Sequence, residues 1–232
     1  QIAMVSADRR CPQATHFVEK TEAVGMRYTG LPFAKQGRDA MNWQGVASGD
    51  VNGDGRWDLF IPGRTRNHLY LNTAEGVFVD VAEAWGVADA PGGTGVVFFD
   101  YDNDGDEDIY VGSKFAPNLL YRNDGNLMFT EVGFEAGVAD EGFTNAAIWF
   151  DFDNDGDLDL ATGNGFGGTD PAPNRFYVNQ GDGTFVDMAE EFGMASALMC
   201  RSLHAADYDK DGFTDLYVVN INAVNHFYKN EG

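Results

Sequence analysis

Cysteine, basic residues and long apolar runs are all scarce in this chain of 232 residues. The only cysteines, Cys11 and Cys200, cannot build a disulfide-dense scaffold, and neither is coupled in sequence to a recognisable catalytic triad. Lys+Arg of 15 against Asp+Glu of 37 leaves a formal charge of -22, which repels nucleic acid and anionic membrane and suits cations or basic partners. No apolar run approaches the ~18 residues that a membrane helix needs, so membrane insertion is not expected. There is no N-x-[ST] sequon and no G-x-S-x-G elbow. A numbering that opens at Gln1 fits a mature chain whose leader has been removed.

Aspartate is plentiful, and it is clustered. "DVNGDGRWD" from Asp50, "DYDNDGDED" from Asp100, "DFDNDGDLD" from Asp151 and "DYDKDGFTD" from Asp207 recur at spacings of 50, 51 and 56 residues. A second signature, N-x-[LF]-Y-x-N, follows each loop, as "NHLYLN" at 67, "NLLYRN" at 118, "NRFYVN" at 174 and "NHFYKN" at 225. A third element appears as "FVDVAEAWGV" at 78, "FTEVGFEAGV" at 129 and "FVDMAEEFGM" at 185, while its fourth copy, "FVEKTEAVGM", begins at Phe17, ahead of the first loop. The chain is thus four repeats circularly permuted by one segment.

Each unit holds about four short strands rich in aromatic and β-branched residues, the size of a propeller blade. The expected fold is an all-β propeller of four four-stranded blades, the last completed by the N-terminal strand of its own or a neighbouring chain. Residues 1–15 form an N-terminal arm, and the propeller takes 16–232, with blades at about 40–88, 89–139, 140–195 and 196–232 plus 16–26. Two insertions, "RYTGLPFAKQGR" and "GNGFGGTDPAP", depart from the period and are read as loop drift or as partner-contact loops.

Carboxylates crowded at alternate positions repel one another unless a cation lies between them. Oxygen at positions 1, 3 and 5, a turn glycine at 6, a backbone carbonyl at 7 and a carboxylate at 9 supply the hard ligands that Ca²⁺ takes. The expected ligands are Asp50, Asn52, Asp54, the Arg56 carbonyl and Asp58 in the first loop. In the second they are Asp100, Asp102, Asp104, the Asp106 carbonyl and Asp108. In the third they are Asp151, Asp153, Asp155, the Asp157 carbonyl and Asp159, and in the fourth Asp207, Asp209, Asp211, the Phe213 carbonyl and Asp215. Four calcium ions are therefore expected. An EF-hand is rejected because position 12 holds Ile61, Val111, Thr162 and Val218 rather than Glu. Magnesium demands stricter octahedral geometry, and transition metals want His or Cys, which these loops lack. Four Ca²⁺ would bring the charge of -22 to -14, coupling folding to metal binding.

These residues resemble the FG-GAP/VCBS repeats of integrin α-subunit propellers, and the segment from "FVEKTEAVGM" through "GVASGDVNGDG" is similar to bacterial ASPIC/UnbV-type and cartilage acidic proteins. The resemblance covers nearly everything from about residue 16 to 232. It implies a secreted or surface propeller in which calcium is structural, with a role in adhesion or matrix binding. Family members build about seven blades, whereas four loops are present here. The chain therefore closes as a small ring, forms part of a longer protein, or pairs its edges with neighbours.

The remaining candidates are weaker. His68 and His226 fill the variable position of N-x-[LF]-Y and suit a blade surface, while His204 lies on a strand entering the fourth loop. Tyr70, Tyr121, Tyr177 and Tyr228, with Asn72, Asn123, Asn179 and Asn230, suit packing between blades better than four sugar sites. In an extracellular setting Cys11 and Cys200 would pair as a disulfide, or else remain as two buried thiols. Saturated calcium ligands cannot also serve as free acid–base pairs, so no enzyme is expected. The leading reading is a calcium-binding adhesion or scaffold module with a protein or glycan partner at the cell surface or matrix. The alternatives are a head-to-tail homopolymer, and a lectin or polysaccharide-acting enzyme.

Overall fold

The computed structural model describes residues 18–26, 45–63, 66–89, 92–114, 116–165 and 172–232. Trp43, Cys11 and most of both insertions lie outside the described residues. Fifteen strands and no helix make up the described secondary structure. The first sheet comprises β1 (Ala47–Gly49), β2 (Asp58–Ile61), β3 (His68–Asn72) and β4 (Phe78–Asp80), and the second β5 (Gly93–Phe99), β6 (Asp108–Ser113), β7 (Leu119–Asn123) and β8 (Phe129–Glu131). The third holds β9 (Thr144–Phe150), β10 (Asp159–Asn164), β11 (Arg175–Asn179) and β12 (Phe185–Asp187), and the last β13 (Cys200–Ala206), β14 (Asp215–Asn220) and β15 (His226–Tyr228). Every sheet is an antiparallel meander in sequence order.

The sequence motifs set the register. The ninth residue of each loop opens the second strand and faces the end of the first, as Asp58 with Gly49, Asp108 with Phe99, Asp159 with Phe150 and Asp215 with Ala206. The aspartate loops are therefore the first hairpin connection of each blade. The first Asn of N-x-[LF]-Y-x-N closes the second hairpin: Asn118 Oδ1 accepts the Ser113 amide at 2.7 Å, and Asn174 Oδ1 the Asn164 amide at 2.9 Å. The Phe element is a three-residue strand followed by a tight turn, in which Trp85 N donates to Val81 O at 2.9 Å and Ala136 N to Val132 O at 2.7 Å.

Apolar cores lie between blades. Alternation along β6 sends Ile109 and Val111 into a cluster with Phe60 and Leu69 of the first blade, and Tyr110 into one with Leu160 of the third. Tyr121 and Tyr177 are buried in the same layers, and Trp149 stacks on Phe99 with centroids 3.6 Å apart. The first strands pack in series, β1 on β5, β5 on β9 and β9 on β13. No comparable packing joins β13 to β1 among the described residues.

Two expectations fall partly on residues outside those described. The fourth sheet has three strands: Val18 and Glu19, at the positions expected to complete it, belong to no strand, and Phe17 lies outside the described residues. Residues 18–26 instead meet the first blade, with Phe78 N donating to Val24 O at 2.7 Å. Cys200, expected either to pair with Cys11, which lies outside the described residues, or to remain a buried thiol, is a free thiol, fully buried where Gly163 leaves it room, and burial pushes it up to about 12.

Packing between blades should dominate stability. Leu120→Ala, at a fully buried site between the second and third blades, is expected to cost about 2–5 kcal/mol in denaturant unfolding. Phe134→Ala, at a side chain 86% exposed, is expected to stay within about 0.5 kcal/mol.

Candidate metal sites

The four loops share one backbone design. Gly55, Gly105, Gly156 and Gly212 at position 6 have φ between 82° and 95°, as the expected turn requires. Position 4 is also left-handed, at Gly53 (68°), Asn103 (58°), Asn154 (62°) and Lys210 (64°). The glycine and asparagines there are the residues that tolerate that region, a signal that the ligand pattern alone passes over.

The first aspartate accepts amides from across its loop. Asp50 takes Asp54 N at 2.9 Å and Gly55 N at 2.8 Å, Asp100 takes Asp104 N at 3.2 Å and Gly105 N at 3.0 Å, and Asp207 takes Asp211 N at 3.1 Å and Gly212 N at 3.0 Å. The ninth residue is buried and uses both oxygens. Asp108 accepts Tyr101 N at 3.0 Å and Asn123 N at 2.8 Å, and Asp159 accepts Phe152 N at 2.8 Å and Asn179 N at 2.9 Å. Asp58 and Asp215 repeat the pattern with Val51 and Asn72, and with Tyr208 and Asn230. The last Asn of N-x-[LF]-Y-x-N also reaches the preceding blade, with Asn123 Nδ2 donating to Val51 O at 3.0 Å, Asn179 Nδ2 to Tyr101 O at 2.9 Å and Asn230 Nδ2 to Phe152 O at 2.7 Å. Neighbouring loops are joined by Asn103 Nδ2 to Asp157 Oδ1 at 2.7 Å and Asn154 Nδ2 to Gly212 O at 3.0 Å.

In three loops carboxylate oxygens converge within 4.8 Å: Asp100, Asp102 and Asp108; Asp151, Asp153 and Asp159; Asp207, Asp209 and Asp215. Positions 1, 3 and 9 are thus brought together. The position-5 aspartates cap the loop: Asp104 Oδ1 accepts Asp106 N at 2.9 Å, Asp155 Oδ1 accepts Asp157 N at 2.9 Å, Asp211 Oδ1 accepts Phe213 N at 3.0 Å, and Asp54 Oδ1 accepts Arg56 N at 3.0 Å. Burial, reinforced by neighbouring carboxylates, pushes Asp108 up to about 8 and Asp159 up to about 6, and also raises Asp58, Asp102 and Asp153. Asp151 Oδ1 is buried with no hydrogen-bond partner. A hard divalent cation fits this donor set: all ligands are oxygen, one buried lone pair is unused, and the strained protonation is relieved by positive charge.

The loops are not equivalent. The first has Asn52 where the others have Asp, and the Arg56 guanidinium bonds the Asp54 carboxylate while Arg56 Nε donates to Asn72 O at 2.7 Å. The second loop supplies the first with a further carboxylate: Glu107 accepts the Asp50 amide, and its Oε2 is buried without a partner. Glu107 occupies position 8, where the other loops have Trp57, Leu158 and Thr214, and that polarity change was its only trace in the sequence. In the fourth loop Lys229 Nζ donates to Asp209 at 2.5 Å and lies 3.3 Å from Asp211. His68 is paired with Asp80 at 2.8 Å, and His204 is exposed on β13.

Comparison with known proteins agrees with this architecture. A family model described as an FG-GAP-like repeat matches residues 50–111 and 163–218, just over half of the chain. Cartilage acidic protein 1 of Xenopus tropicalis is 28% identical over 194 residues, covering 76% of this chain and 29% of that protein. The Homo sapiens protein is 28% identical over 198 residues, covering 76% of this chain and 28% of that one. The chain therefore spans less than a third of the length of these relatives. Among solved structures, a lectin of Agrocybe aegerita that recognises non-reducing terminal N-acetylglucosamine aligns with a TM-score of 0.48 at 20% identity, over 82% of this chain and 52% of that one. BBS1N, solved in complex with ARL6DN, aligns with a TM-score of 0.49 at 11% identity, over 80% and 56%. With its loops, its Asn–Tyr strands and its four sheets in series, the chain belongs to the FG-GAP-like repeat family.

Proposed function

We propose that this chain is a non-enzymatic, calcium-binding module of an extracellular protein, acting as an adhesion or scaffold element for a protein or glycan partner at the cell surface or matrix. The convergence of three carboxylates within 4.8 Å, repeated in phase in three blades, carries the metal reading. Membership of the FG-GAP-like family and similarity to cartilage acidic protein 1 support the extracellular role. Calcium here is structural: it relieves repulsion at the hairpins and holds the ninth-position aspartates ionised against the amides that they accept. The partner side is supplied by the blade surfaces, since the loop aspartates are committed to the cation and to backbone amides.

Calcium should raise the melting temperature and excess chelator should lower it, each site adding about 2.7 kcal/mol at a hundredfold excess over its Kd. A melting curve indifferent to both would remove the metal reading. Asp153→Asn, at an exposed third-position ligand, should reduce the bound calcium by one ion in equilibrium dialysis while leaving far-UV circular dichroism unchanged in calcium. The isotherm should resolve two tighter sites, in the second and third loops, from two weaker ones. Arg56 and Asn52 lower the negative charge of the first loop, and Lys229 competes with the metal in the fourth.

The pH dependence has a definite sign. In metal-free protein Asp108 at about 8 and Asp159 at about 6 lie above the ordinary 3.8, so the folded chain holds protons that the unfolded chain gives up. Their contribution is fully present below about pH 4 and is lost as pH rises through both values. Metal-free melting temperature should therefore fall from about pH 5 to about pH 8. Calcium added near pH 7 should release protons, chiefly from Asp108, seen as a dependence of the calorimetric heat on buffer ionisation enthalpy. Heats equal in all buffers would contradict this.

A further inference from the structure

The ninth-position aspartates of the four loops are joined by one series of hydrogen bonds that crosses three blade junctions. Asp58 Oδ2 accepts Val51 N at 3.2 Å, and Val51 O accepts Asn123 Nδ2 of the next blade at 3.0 Å. Asn123 N donates in turn to Asp108 Oδ1 at 2.8 Å, and Asp108 Oδ2 accepts Tyr101 N at 3.0 Å. Tyr101 O accepts Asn179 Nδ2 at 2.9 Å, Asn179 N donates to Asp159 Oδ1 at 2.9 Å, and Asp159 Oδ2 accepts Phe152 N at 2.8 Å. Asn230 joins the Phe152 carbonyl to Asp215 Oδ1 in the same way, at 2.7 and 2.8 Å.

The side chain of each asparagine is held at both polar atoms. Its oxygen accepts the amide two residues on, from Gly125, Gly181 or Gly232 at 3.2, 3.1 and 3.1 Å. Its nitrogen donates a second bond to position 8 of its own loop, the carbonyl of Glu107, Leu158 or Thr214, at 3.2, 3.2 and 3.3 Å. Position 8 lies between the expected ligands at 7 and 9, and position 2 of the preceding loop lies between those at 1 and 3. One amide group therefore ties the ligand-bearing stretch of a loop to that of the loop before it. At the first two junctions Val51, Tyr101, Asn123, Asn179, Asp58, Asp108 and Asp159 are all buried, where water does not compete for these bonds. Those junctions carry a further link each: Glu107 accepts the Asp50 amide, and Asn103 Nδ2 donates to Asp157 Oδ1 at 2.7 Å.

We infer that Asn123, Asn179 and Asn230 are positioning residues for the metal loops, through which occupancy of one loop raises the affinity of its neighbour for calcium. The inference rests on the calcium reading proposed above and concerns how the sites act on one another. A loop that closes on an ion fixes its positions 7 to 9, hence the asparagine bonded to positions 8 and 9, hence position 2 of the preceding loop with the ligands on either side of it. The neighbour then binds with less of its own ordering left to do, which is positive coupling. Coupling between two binding equilibria is reciprocal, so each loop of a pair changes the other by the same factor. Coulomb repulsion between two bound cations has the opposite sign. Positive coupling is thus the signature of the bonded series and not of charge.

The test is a calcium titration of the 232-residue chain in chelator-buffered calcium, followed loop by loop at the amide NMR signals of Gly105 and Gly156, the turn glycines of the second and third loops. Asp153→Asn, at an exposed third-loop ligand, should weaken the second loop about fivefold or more, and Asp102→Asn, its exposed second-loop counterpart, should weaken the third loop by a similar factor. Repeated in an Asn179→Ala background, the same substitutions should change the neighbouring loop by less than about twofold, because the bridge that carried the effect is gone. If Asn179→Ala does not fold, the reciprocal pair in the wild-type background decides alone. A neighbour that is unchanged or strengthened overturns the inference, strengthening being the result of charge by itself, since a loop without its ion is more negative. So does an Asn179→Ala protein that melts lower yet keeps the full factor, since the asparagine is then merely structural. Absence of any bound calcium overturns the metal reading and this inference with it, whereas ions bound independently overturn this inference and leave that reading standing.

Discussion

A buried carboxylate that accepts two backbone amides from different parts of its blade is the constraint on which the rest depends. Asp108 ties the start of its loop to the end of β7, and Asp58, Asp159 and Asp215 do the same in their blades. The bonds favour the ionised form, but burial and the neighbouring aspartates favour the neutral one, and at Asp108 and Asp159 the second effect wins. A divalent cation held by positions 1, 3 and 9 would reverse that balance. An ion so held would fix the hairpin, the register of the second strand, and the asparagine that reaches the preceding blade.

Much of this was legible because the repeat spells it out. The period, the four strands of the first three blades, the hairpin position of the loops and the inter-blade use of Tyr121 and Tyr177 follow from patterns written four times. What differs between the blades was not legible. Glu107 serves the first loop from the second, a contact made across a blade junction and invisible within a single motif. Lys229 lies outside the loop whose aspartates it bridges, and Arg56 was read only for its carbonyl although its guanidinium matters as much. The left-handed residue at position 4 was hidden because Gly, Asn and Lys share no side-chain chemistry, only a backbone angle.

The N-terminal element is a permuted piece of the repeat, of which residues 18–26 are described. Its likeness to the outer strand and turn of the other blades predicts completion of the fourth sheet, yet its described part does the second half of that job, capping the first blade through Val24. Both halves belong to one structural unit, and the same residues can face two blades only where those blades are neighbours. The free, buried Cys200 follows from a similar local demand: its thiol fills the space beside Gly163, in the interior between the third and fourth blades.

The asparagine links from loop to loop, Asn103 to Asp157 and Asn154 to the Gly212 carbonyl, give the array a mechanical character. Tension drawn along the series must stretch a chain of short polar bonds on the loop side, while the broad apolar layers between blades resist shear. Loading one hairpin with an ion stiffens the acceptor that its neighbour grips. If the proposed calcium binding holds, the module would behave as a jointed strut whose rigidity follows the surrounding calcium concentration.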